Sequence, residues 1–122
     1  MNMWLFVAAV LAFLLGATHS FLGERFILRP LFGMELPKLL GSPRFMRRTV
    51  WFGWHLTTVL MWGMAALLFN MSLGTGSLIS ARTIIGYVFA ICAVGALLVT
   101  RGKHFSWVIF GIIAVLTFIS KQ

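Results

Sequence analysis

MWLFVAAVLAFLLGATHSFL, residues Met3–Leu22, is twenty residues long and carries no charge. About 20 such residues in a helix cross a hydrocarbon layer of roughly 30 Å, so the stretch reads as a full transmembrane span. Nothing basic precedes it, and no small-residue cleavage site is legible, so it reads as a retained span and not as a signal peptide. Three more apolar stretches follow: one from about Val50 to Met71, one from Thr83 to Thr100 and a short one from Phe105 to Ser120. The predicted fold is therefore all-α: one membrane domain of 122 residues, built as a four-transmembrane-helix bundle with an interfacial segment between helices 1 and 2.

Composition agrees with this. Of the residues, 61% are hydrophobic, against roughly 45–50% in soluble domains, and the mean hydropathy is +1.01. The formal net charge of +8 is confined to the connections between apolar runs. That pattern excludes nucleic acid, which needs a basic soluble surface, and points instead to topology and anionic lipid.

Between spans one and two, residues 23–48 mix Phe26, Leu31, Phe32, Leu39 and Leu40 with basic residues and three prolines. Pro30, Pro37 and Pro43 are expected to break any continuous helix, so the segment should lie in the interface plane. Ser42–Pro43 reads as a helix start, with Ser as cap and Pro in the first turn. The turn Gly74–Ser77 ends span two, and Arg101–Gly102–Lys103 is tight enough to make spans three and four a hairpin. Arg25, Arg29, Lys38, Arg44, Arg47, Arg48, Arg101 and Lys103 then share one side, with Arg82 and Lys121 on the other. Basic loops stay in the cytoplasm, which places both termini outside the bacterial cytoplasmic membrane. Arg25, Arg29, Arg44, Arg47 and Arg48 are the expected headgroup contacts.

The chemistry-bearing residues gather at that same end. His19 closes span one, His55 opens span two and His104 precedes span four, with Glu24 just beyond His19. At helical spacing His19 continues the small-residue face of Ala8, Ala12 and Gly16, a face suited to close helix contact. Three imidazoles and a carboxylate are a donor set for Zn, Cu or Fe, and two opposed imidazoles would suit haem b, the lesser expectation. Trp51, Trp54, Thr58 and Trp107 are the expected lining of such a pocket. Each also has a plainer reading: histidines at span ends that bond a carbonyl or lipid phosphate, and tryptophans in an aromatic belt. Cys92, alone in an apolar run, reads as a packing residue. Asp is absent, and no nucleophile–base–acid arrangement or phosphate-cradling loop is legible.

Gly16–Ala17–Thr18–His19–Ser20–Phe21–Leu22–Gly23–Glu24 and Trp54–His55–Leu56–Thr57–Thr58 resemble stretches of small bacterial four-span integral membrane proteins of unknown function. There is a fainter likeness to haem-binding cytochrome b561-type bundles and to copper-resistance membrane domains. The resemblance implies a four-helix membrane fold and no particular activity. Three functions follow as expectations: a transition-metal site on His19, His55, His104 and Glu24; a non-catalytic accessory subunit binding lipid or a partner, as a homo-oligomer or within a larger membrane complex; and a small-solute channel or transporter.

Overall fold

A computed structural model describes residues 1–38, 42–74 and 79–120. Leu39, Leu40, residues 75–77 of the expected turn and Lys121 lie outside the described residues. The described residues form four helices: α1 Met3–Phe32, α2 Pro43–Ser72, α3 Ala81–Thr100 and α4 Ser106–Ile119. The first three are long and apolar enough to cross a membrane; α4 is a shorter apolar helix. Its 14 residues rise only about 21 Å, less than the expected fourth span requires.

Helix ends follow local chemistry. The Asn2 side chain accepts from the Trp4 and Leu5 amides, 3.1 and 3.2 Å, and so caps α1. Ser42 caps α2 with Pro43 in its first turn, as its sequence suggests, and Ser80 caps α3. Helix α2 thus begins seven residues before the expected span, carrying Arg44, Arg47 and Arg48 on its first two turns.

The expected interfacial segment is shorter than 23–48. α1 does not stop at Leu22; it passes through a π-helical turn, Gly23–Leu28, and resumes as α-helix over Arg29–Phe32. Pro30 was expected to break a helix here. Within a π-turn, bonds skip one residue further back, and the Arg29 amide reaches the Glu24 carbonyl. The widened turn relieves the clash that a proline ring makes in a regular helix. Leu28, fully buried, gives the extension its hydrophobic anchor.

The helices pack in chain order, α1 on α2, α2 on α3 and α3 on α4, and no other pair among the described helices is in more than slight contact. Each interface has a glycine that lets a large side chain in. A methyl group at Gly23 would occupy the Trp54 indole; at Gly63 it would come within 2.7 Å of Val88, and at Gly86 within 2.7 Å of Phe118. The buried side chains are correspondingly small, with Ala9, Ala65, Cys92, Ala96 and Ala114 among them. Such residues let helices approach without a hydrophobic driving force from water.

Candidate functional site

The polar residues in the second half of α1 meet the third and fourth turns of α2. Ser20 and Glu24 stand one turn apart on α1, with His55 of α2 between them. The Ser20 hydroxyl lies 2.6 Å from His55 Nδ1, and His55 Nε2 lies 3.3 Å from Glu24 Oε2. A carboxylate only accepts, so the proton belongs on Nε2 and Nδ1 accepts from Ser20. Glu24 Oε2 also accepts from Trp51 Nε1 at 3.0 Å. Its other oxygen is 3.8 Å from Arg29 Nε, an ion pair whose arginine is 71% exposed and which therefore adds little.

His19 sits in a second, adjoining knot. Its ring stacks on Trp54, centroids 4.7 Å apart and planes within 3°, while Trp54 Nε1 donates to the His19 carbonyl at 3.2 Å. The Thr57 hydroxyl donates to the Trp54 carbonyl at 2.6 Å and stands 2.8 Å from His19 Nε2. With its one proton so used, Thr57 accepts from His19. Further along, Trp62 Nε1 donates to the Phe13 carbonyl at 3.1 Å. Three indoles of α2 thus reach back to acceptors on α1.

His104 does not join them. It lies in the turn before α4, its Nδ1 2.8 Å from the Ser106 hydroxyl and its amide 3.3 Å from Thr100 Oγ1. Among the described residues no group of three or more His, Cys, Asp or Glu could hold a metal ion. The expected set of His19, His55, His104 and Glu24 is therefore not assembled, because packing in chain order separates α4 from α1 by two helices. Equal depth along the helix axes did not bring convergence.

The expected lining residues disperse likewise. Trp51 and Trp54 belong to the knots just described. Trp107 donates to the Gly102 carbonyl at 3.3 Å and borders an apolar groove between α3 and α4. Thr58 is only 3% exposed, and its hydroxyl has no hydrogen-bond partner among the described residues. Among the expected headgroup arginines, Arg25 lies over the Phe26 ring, Arg29 faces Glu24 and Arg47 donates to the Phe32 carbonyl at 2.8 Å. Arg44 and Arg48 line a cavity.

Sequence reasoning missed Ser20, Thr57 and the hydroxyl–imidazole–carboxylate order that Ser20 completes. The signal was present in the i, i+4 spacing of Ser20 and Glu24, which puts both on one face; which residue would stand opposite was not.

No family model, curated protein or solved structure matches the chain. The class is therefore defined by the fold and its polar knots: an all-helical protein with three helices suited to crossing a membrane, the first two of them joined through imidazole, carboxylate and indole groups.

Proposed function

We propose that the chain is a small multi-pass protein of the bacterial cytoplasmic membrane, its basic end cytoplasmic, acting as a non-catalytic accessory subunit that binds anionic lipid and packs against a membrane partner. The observation that carries this reading is how the polar atoms are spent. The Trp51 and Trp54 indoles, the Ser20 and Thr57 hydroxyls, both imidazoles and the Glu24 carboxylate are engaged in bonds within or between α1 and α2. Bonds of this kind contribute about 0.5–1.5 kcal/mol each and hold two helices in register. A metal on His55 would have to displace a bond at either ring nitrogen.

Elemental analysis and an optical spectrum of untagged protein in mild detergent test this. The accessory reading expects no stoichiometric Zn, Cu or Fe, no Soret band, and a lowered melting temperature for His55→Ala. Stoichiometric metal that is lost in His19→Ala and His55→Ala would replace it with the metal-site reading.

One distance favours a second reading. Ser20 Oγ at 2.6 Å from His55 Nδ1, with Nε2 held by Glu24, is the order in which an imidazole acts as base toward a hydroxyl nucleophile. A fluorophosphonate reagent would then label Ser20, with fluoride leaving and the hydroxyl proton passing to His55. Labelling that vanishes in both Ser20→Ala and His55→Gln supports it. An unlabelled, folded protein removes it.

A further inference from the structure

We propose that the groove between the start of α2 and the end of α3 is a phosphate-binding pocket, taking the phosphate of an anionic lipid headgroup or of a soluble phosphate ester. It encloses about 430 Å³ and is lined by Ser42, Arg44, Phe45 and Arg48 from the α2 side and Thr100, Arg101 and Lys103 from the α3 side. Four cationic side chains from two separate elements converge there, and neither glutamate of the chain is among the lining residues. Asp is absent from the sequence. Like charges brought together without a counter-charge repel, so the arrangement favours occupation by an anion, and a doubly charged phosphomonoester over a singly charged diester.

The pocket lies at the amino end of a 30-residue helix, where the backbone dipole favours negative charge, and at the carboxyl end of α3, where it opposes it; the two largely offset, and the basic side chains carry the attraction. Arg101 also has φ 53° and ψ 42°, in the left-handed region, and is followed by Gly102 at φ 73°. Glycine takes that conformation without strain, whereas an arginine there costs backbone energy. Its side chain has a use that glycine could not serve, and the cavity it lines is that use.

The pocket does not depend on whether the histidine knots are structural. Only its lipid form rests on the membrane reading; a soluble phosphate needs no bilayer. The test is native mass spectrometry of the full chain in neutral detergent, with phosphatidic acid, phosphatidylglycerol and phosphatidylcholine added at equal concentration. Phosphatidic acid should be retained best and phosphatidylcholine least. Arg48→Gln and Arg101→Gln should each weaken retention about ten-fold or more, as loss of a charge-assisted bond to phosphate does. Lys38→Gln removes the same charge outside the pocket and should weaken retention by no more than the roughly five-fold of diffuse surface attraction. Arg101→Gly is the sharpest variant, since it should weaken retention as much as Arg101→Gln while raising the melting temperature.

Displacement of the lipid by millimolar inorganic phosphate would assign the site to free phosphate, and retention in its presence to a lipid headgroup; either supports a phosphate pocket. Equal retention of phosphatidylcholine overturns it. So does a Lys38→Gln effect as large as that of Arg48→Gln, which would mean diffuse surface charge.

Discussion

Thr58 and Gly23 show what single positions contribute here. The Thr58 hydroxyl is buried at 3% exposure with no partner among the described residues, and an unsatisfied buried polar group costs about 1–3 kcal/mol. Valine has the same shape without the hydroxyl. Thr58→Val is therefore expected to stabilise the fold by about 1 kcal/mol, read as a raised melting temperature in detergent; a loss of stability would mean the hydroxyl has a partner. Gly23 is the converse case. Any β-carbon there overlaps the Trp54 indole, so Gly23→Ala must push that ring off the His19 carbonyl and off its stack with the His19 ring. Overpacking of this kind costs about 1–3 kcal/mol. Trp54 fluorescence, read in a variant whose other four tryptophans are replaced by phenylalanine, should shift with it; an unshifted spectrum would show that the contact is dispensable. Both residues were visible in the sequence, yet neither the unpaired state of one hydroxyl nor the closeness of one indole follows from residue identity.

At the scale of elements, the π-turn is the feature that local reasoning misjudged. Pro30 looked like a break because a proline inside a regular α-helix costs about 3 kcal/mol against alanine. The turn Gly23–Leu28 shifts the bonding by one residue before the ring is reached, so most of that cost has already been relieved. Pro30→Ala is accordingly expected to change stability by less than about 1 kcal/mol, as measured by denaturation in mixed micelles. A gain near the full helical value would show that the ring still strains the helix. The same turn extends α1 to Phe32 and gives Arg47 the Phe32 carbonyl as an acceptor, 2.8 Å away. The Ser42 cap was legible from Ser42–Pro43; Asn2 and Ser80, not foreseen from the sequence, also act through atoms within three residues.

For the whole molecule, the open question of topology is the fourth helix. Helices α1, α2 and α3 have the length and hydropathy of spans, while α4 rises only about 21 Å against a layer of roughly 30 Å. Four crossings return the carboxyl terminus to the side of the amino terminus, and three leave it opposite. The basic-residue asymmetry favours four, with the bilayer thinning around α4 at modest cost. An alkaline phosphatase fusion after Gln122 is therefore expected to be active, since that enzyme folds only outside the cytoplasm. A silent fusion, with a fluorescent green protein fusion lighting up in its place, would reduce the count to three.

What the sequence determined by itself was the menu of helices, three of them long and apolar enough to cross a membrane. Uncharged runs of span length and the Ser42–Pro43 helix start are local quantities, and they lead directly to an all-helical protein. The tertiary structure decided the neighbours. Three histidines at one depth could be joined only if the helices closed into a ring, and depth along an axis carries no information about which helix stands beside which. Glycines at Gly23, Gly63 and Gly86 seat Trp54, Val88 and Phe118 and so build a row, α1 on α2, α2 on α3, α3 on α4. In that row His55 meets Ser20 and Glu24, Arg48 meets Arg101 in a shared cavity lining, and His104 is left with its own turn. Side-chain volume at the helix contacts, which no periodicity encodes, made that choice.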